Sequence, residues 1–175
     1  MTTNTDTRLS DRMVATDASF APLALRIAAG IIFTAHGTQK LFGWFGGYGL
    51  EGTAKWMDSI GLSPGLLMTL LAGGAEFVGG LALLIGLLVR PFAATLAFAM
   101  AVAVFSVHIG NGLFMSKNGY EFGLALFAIS VSLLISGAGR WSVDAAIADR
   151  GTVSRPVFPI PGRRWTSTAT TRSMR

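Results

Sequence analysis

A single carboxylate, Glu76, stands in the middle of an apolar run from Gly65 to Val89 that carries no other charge. A stretch of this length is enough to cross a bilayer as a helix. A carboxylate at that depth costs about 2.5–3.5 kcal/mol on insertion scales, so it must turn away from lipid and find a partner. The preceding apolar run offers three cations for it: Arg26, Lys40 and His36. This one feature narrows the chain to a small polytopic membrane protein with a polar interior, and function is to be sought in that interior.

Composition agrees. Of the 175 residues 51% are hydrophobic and 13% charged, against about 25% charged in a soluble domain. The charges crowd the two ends and thin out between residues 20 and 140. Cysteine is absent, which excludes disulfides, thiolate nucleophiles and Cys-ligated metal or cluster sites. A net charge of +5 raises the question of nucleic acid. The basic excess lies in a tail flanking a membrane segment, where positive-inside topology accounts for it, so no nucleic-acid partner is expected.

The chain divides into three parts by composition. Residues 1–20 are polar and rich in Thr and Asp; they read as a disordered cytoplasmic segment and hold no apolar core of a cleavable signal. Residues 21–147 contain four apolar segments, at Pro22–Phe42, Gly65–Val89, Phe92–Ile109 and Phe122–Gly137. Each is close to the ~20 residues that span the hydrocarbon slab as helix. Continuous runs without period-two alternation favour helices over barrel strands. The expected fold is therefore all-α, a polytopic membrane four-helix bundle. Residues 148–175 read as a basic disordered cytoplasmic tail.

A tight turn at Arg90-Pro91 is expected to join the second and third spans. The first connection, Gly43-Trp44-Phe45-Gly46-Gly47-Tyr48-Gly49 and on to Leu62, is rich in glycine and aromatics. Its Glu51–Ile60 stretch suits a short helix lying at the interface, anchored by Trp44 and Trp56; an aromatic loop that only anchors is the plain alternative. With four spans both termini share a side with Arg90. That side holds Arg8, Arg12, Arg90, Arg140 and the arginines from Arg150 onward, against Lys40, Lys55 and Lys117 on the other. This places both termini in the cytoplasm, with the lipid bilayer around the spans.

Positions three and four apart share a helix face. Arg26, Gly30, Phe33, Gly37 and Lys40 form one stripe; Glu76 travels with Gly73, Gly79 and Gly80; His108 with Ala94, Ala97, Ala101 and Val104; Glu121 with Ala125, Ala128 and Ser132. Small residues mark close helix contacts in membranes, so these polar groups are expected to face inward. A structural ion pair between Arg26 and Glu76, or Lys40 and Glu76, is the plain reading of the buried carboxylate. An outer cluster of His36, Lys40, His108 and Glu121 above Glu76 is expected, with Asn118 and Tyr120 beside it as further ligand-binding or proton-relay candidates.

No nucleotide loop, nucleophile set or metal-ligand spacing is visible, so no catalytic residue and no metal site is assigned. Two histidines on different helices invite axial haem ligation, but Lys40 one turn from His36 would crowd a macrocycle, and haem is disfavoured. Asn118-Gly119-Tyr120-Glu121 reads first as a turn and helix start; a quinone ring stacked on Tyr120 is the functional alternative.

The motifs resemble one family. His36-Gly37-Thr38-Gln39-Lys40-Leu41-Phe42-Gly43, the run from Glu76 to Leu87, Asn118-Gly119-Tyr120-Glu121 and Gly139-Arg140-Trp141-Ser142-Val143-Asp144 are similar, in order, to elements of the DoxX-like membrane proteins, over residues 22–147. The resemblance implies a four-helix inner-membrane protein; its namesake is a small subunit of a quinone-reducing oxidoreductase, and it carries over no catalytic residue. The expectation is thus a redox-associated subunit that contacts quinone or supports a partner oxidoreductase, alone or as a homo-oligomer. The alternatives are a small transporter using the same interior, disfavoured because the second and third spans lack a mid-span break, and a non-catalytic assembly factor.

Overall fold

The computed structural model describes residues 20–150. All but Phe20 of the expected N-terminal segment, and the tail beyond Arg150, lie outside the described residues. The described residues are all-helical, with no strand among them. Six α-helices follow one another: α1 Ala21–Phe42, α2 Gly49–Ser59, α3 Gly65–Ile85, α4 Val89–Ala103, α5 Glu121–Ser136 and α6 Val143–Arg150.

Local signals explain the boundaries. Pro22 sits in the first turn of α1 and Gly43, at φ 73°, ends it in the left-handed conformation, which costs glycine nothing. The Asp58 carboxylate accepts hydrogen bonds from the Gly65 N–H at 2.7 Å and the Ser63 hydroxyl at 2.8 Å, tying the end of α2 to the start of α3. The turn between α3 and α4 comes earlier than expected, because Gly86 at φ 76° caps α3. Arg90 and Pro91 consequently lie inside the first turn of α4, where a missing proline N–H is harmless.

Packing is dominated by α1 on α3 and α4 on α5, with α2 lying against α3 and α1. The α1–α3 seam is glycine-lined. A Cβ at Gly37 would stand 2.5 Å from the Phe77 backbone nitrogen, and one at Gly80 2.5 Å from that of Thr34. The two backbones can approach this closely only because both positions lack a side chain. Gly79 instead faces Leu96 of α4. The core comprises Ala29, Phe33, Leu83, Val89, Ala93, Leu96, Met100, Leu126, Leu133 and Ala138.

The outside of the same helices is apolar too. Ile31, Leu71, Phe98, Phe105 and Ile135 are each more than half exposed, far more apolar surface than water tolerates. Gly65–Ile85 and the helical run Val89–Asn111 are long and apolar enough to cross a membrane, and Glu121–Ser136 is apolar but shorter.

Two expectations are corrected. The run after Ala103 changes winding: Val104–His108 is a π-turn and Ile109–Asn111 a 3₁₀ turn. Of the expected stripe Ala97 and Val104 are buried, Ala101 is half-buried and Ala94 is exposed; adding a residue to a turn rotates what lies beyond it, which takes His108 off the α-helical stripe. On α5 the inward face is Leu126, Ser130 and Leu133; Ala125, Ala128 and Ser132 are exposed, since bulky residues win the core where no close backbone approach is made. The helix α6 runs across residue 147 to Arg150.

Candidate functional site

Two polar layers lie within the packed helices, separated by the apolar core. The first joins the C-terminal end of α1 to the middle of α3. Lys40 Nζ meets Glu76 Oε2 at 2.5 Å, with the Glu76 side chain 5% exposed and that of Lys40 24%. Gly73, one turn before Glu76, makes room: a Cβ there would press on Leu41 and on Lys40 Cβ at 3.2 Å. The glycines that accompany Glu76 thus admit the lysine stem and let the ammonium reach the carboxylate.

This layer opens on one side. Gln39, Lys40, Gly46, Gly47, Tyr48, Thr53 and Trp56 line a cleft of about 250 Å³ between the end of α1, the glycine-aromatic connection and α2. The Gln39 amide donates to the Phe45 carbonyl at 3.2 Å and the Thr53 hydroxyl to the Lys40 carbonyl at 3.4 Å. Both hold the connection over the helix end. Phe45 takes φ 54° and Gly46 φ 76°, which turns the chain back across the mouth. Trp44, Phe45 and Tyr48 are strongly exposed, the placement that suits aromatic rings at a headgroup boundary.

The second layer lies at the opposite end, ~21 Å away along α1 at 1.5 Å per residue. Arg26, 2% exposed, donates from Nη1 to the Ala138 carbonyl at 2.6 Å and from Nη2 to the Trp141 carbonyl at 2.8 Å. Asp144, equally buried, accepts the N–H groups of Leu88 and Val89 at 2.7 and 3.0 Å, capping α4 where a carboxylate complements the helix dipole. The Asp144 N–H returns to the Gly86 carbonyl at 3.0 Å. Arg90 donates to the Leu134 carbonyl at 2.9 Å. Gly86 has no side chain because a Cβ there would collide with the Arg26 guanidinium.

The expected Arg26–Glu76 pair is therefore not formed. Arg26 lies a full apolar layer from Glu76 and spends its guanidinium on the carbonyls that follow α5, whereas Lys40 is one turn from the level of Glu76 in the antiparallel seam. The expected outer cluster is also split. His108 Nδ1 lies 2.9 Å from the Asn118 carbonyl, which Asn111 Nδ2 also approaches at 3.3 Å. Glu121 accepts the Met115 N–H at 2.6 Å, and the Tyr120 N–H donates to the Gly112 carbonyl at 3.1 Å. These four fold the α4–α5 connection upon itself, with Asn118 at φ 60° in the turn that Asn-Gly foretold. His36 leans on Phe122 of α5, ring centroids 5.9 Å apart, with Lys40 near enough for its charge to be felt at the imidazole. Among the described residues no group of three or more His, Asp or Glu is arranged to hold a metal.

Sequence reasoning passed over Asp144, Thr53 and Gln39. Asp144 carried a readable signal, an acid opening the short helix after the last apolar segment while Arg26 lacked an acidic mate. Thr53 and Gln39 carried none, since their roles exist only once the connection folds over the helix end.

Residues 21–109 match the DoxX family. An uncharacterized protein of Haemophilus influenzae is 33% identical over 127 residues, 69% of this chain and 85% of that one. The putative oxidoreductase CatD of Bacillus subtilis is 32% identical over 122 residues, 70% and 83% of the two chains. The inner membrane protein YqjF of Escherichia coli is 32% identical over 127 residues, 70% and 88%. No solved structure matches the chain. The matched span includes both members of the Lys40–Glu76 pair and the glycines that bring them together, and on this evidence the chain belongs to the DoxX family.

Proposed function

We propose that this chain is a four-span inner-membrane protein, both termini cytoplasmic, acting as a redox-associated subunit whose Lys40–Glu76 pair serves a quinone-type ring at the cleft beside α2. The observation that carries the reading is that Lys40 belongs to both places: it lines the cleft and it holds the buried carboxylate. Membrane residence draws support from the apolar outer faces and from α1, whose Arg26 and Lys40 are both turned inward and bonded. A redox association draws support from the name of the Bacillus subtilis relative.

The residues suit such a ligand chemically. The Lys40 ammonium has three donors, one of them engaged by Glu76, so it can bond a ring carbonyl while keeping its counter-ion. Trp56 and Tyr48 provide flat apolar walls. Reduction of a quinone takes up two electrons and two protons; a partner oxidoreductase would deliver the electrons. Lys40 would pass one proton to a ring oxygen and regain it from water in the cleft, and water in the cleft would supply the second proton to the other ring oxygen.

Purification from native membranes tests this directly. Expected are a copurifying oxidoreductase subunit and extractable quinone with the unaltered chain, and loss of the quinone, with the assembly kept, in Lys40→Met. Recovery of neither partner nor quinone would overturn the reading. The permeation alternative rests on one feature, the change of winding at Val104–His108, and predicts solute flux in vesicles instead.

A further inference from the structure

We infer that Glu76 exchanges protons with one side of the membrane only, the side on which α2 lies, through Lys40 and the cleft. This rests on the reading of Lys40 and Glu76 as proton-handling groups and adds a direction to it. Two independent observations carry the direction, one at each end of the site.

The first is the opening. Of the two Glu76 oxygens, Oε2 is held by Lys40. Oε1 makes no hydrogen bond among the described residues, yet it is not among the sealed and unpartnered side-chain atoms, which are Arg26 Nε, Thr34 Oγ1 and Thr69 Oγ1. A carboxylate oxygen with surface left and no partner is a place for a proton or a water. The Lys40 side chain, a quarter exposed, bridges this oxygen's carboxylate to the cleft.

The second is the closure. Between Glu76 and the Arg26 layer the interior is filled by Ala29, Phe33, Leu83 and Leu96, each 0–1% exposed. The seam beside them has no room even for a Cβ: one at Gly30 would meet the Leu84 side chain and one at Gly80 the backbone and hydroxyl of Thr34. Beyond that plug, Arg26 and Asp144 turn their polar atoms onto the backbone of the α3–α4 turn and of the segment after α5. A proton leaving Glu76 in this direction meets one hydroxyl, that of Thr34 beside Gly80, sealed and, among the described residues, without a hydrogen-bond partner to pass it on. In the other direction it meets an ammonium at 2.5 Å.

The charged neighbours leave this path undisturbed. From α1, Lys40 and His36 face the level of Glu76, and Arg26 lies beyond the plug. On α2, Glu51, Lys55 and Asp58 are exposed. On α4, Arg90 bonds the Leu134 carbonyl, and past its end His108 bonds that of Asn118. Proton exchange is then balanced without further groups: Lys40 gives a proton to Glu76 and regains one from water in the cleft, and the reverse discharges it.

The absence of native cysteine makes the test clean. Single cysteines are introduced into the full chain in sealed native membranes and labelled with a membrane-impermeant maleimide from each side. Lys55→Cys, exposed on α2, and Trp141→Cys, 65% exposed at the far end, report the two sides. Lys40→Cys is expected to label from the Lys55 side with the same preference as Lys55→Cys, and Phe33→Cys and Leu83→Cys from neither side. Labelling of Lys40→Cys from both sides, or of Phe33→Cys from the Trp141 side, would overturn the inference.

In oriented vesicles, the infrared band of the Glu76 carboxyl, identified by its loss in Glu76→Gln, is expected to follow pH on the α2 side alone. A band that follows the other side, or both, overturns the direction and leaves the proposed function standing. A band that follows neither side removes the proton role and the proposed function with it.

Discussion

The two polar layers each hold a cation and a buried carboxylate and differ in what their atoms are left to do. At the Arg26–Asp144 end, five hydrogen bonds join charged side chains to backbone groups: Arg26 and Arg90 donate to carbonyls, and the Asp144 carboxylate accepts from two N–H groups. At the Lys40–Glu76 end the two side chains, among the described residues, bond only each other, and the lysine stands at a cleft. A group whose partners are all backbone is held by the fold and holds the fold in return. A group with spare donors beside open volume keeps capacity for a ligand. Burial of charge alone therefore does not separate a structural site from a working one; the identity and number of the partners does.

The largest effect is expected from breaking the Arg26–Asp144 layer. Asp144→Ala leaves the Leu88 and Val89 N–H groups unpaired and removes the acid whose charge is felt at Arg26. Stability should fall by about 3 kcal/mol, seen as a lower midpoint of thermal unfolding in detergent. Unchanged unfolding would mean that this layer is not a clamp. Gly37→Leu comes next, because its side chain must displace the Phe77 backbone. Overpacking of this kind costs about 1–3 kcal/mol, and crosslinking between α1 and α3 should weaken in step.

Glu76→Gln sharpens the contrast. The amide keeps the shape, and Lys40 can turn its charge toward the cleft, so the loss should be near 1 kcal/mol, while ligand retention or proton exchange is abolished. A fall in stability as large as that of Asp144→Ala would make the two layers alike and undo the distinction. The smallest effect is expected at the exposed α4–α5 connection. Asn118→Gly suits φ 60° and should change stability by about 0.5 kcal/mol or less, whereas Asn118→Val, β-branched in a left-handed position, should cost about 1–2 kcal/mol.

Much of the fold was legible because membrane helices announce themselves by length and composition. The glycine stripe on α1 and α3 was readable at Gly30, Gly37, Gly73 and Gly80, since close backbone approach needs small residues at helical spacing. The analogous stripe on α5 misled: Ala125, Ala128 and Ser132 are small yet face outward, as alanine is equally at home against lipid. The α4 stripe held at Ala97 and Val104 and lost its alignment with His108, because a π-turn leaves no mark in residue type.

From the residues alone come the all-helical class, a charge at Glu76 that needs a partner, three cations able to supply one, and the turn at Asn118-Gly119. Which cation answers was decided by the antiparallel register of α1 on α3, because pairing in a low-dielectric interior depends on separation at the scale of a single helical turn. Arg26 and Lys40 share one stripe of one helix, and only the packed neighbours determine that the first meets fixed carbonyls while the second meets a carboxylate at the edge of open space.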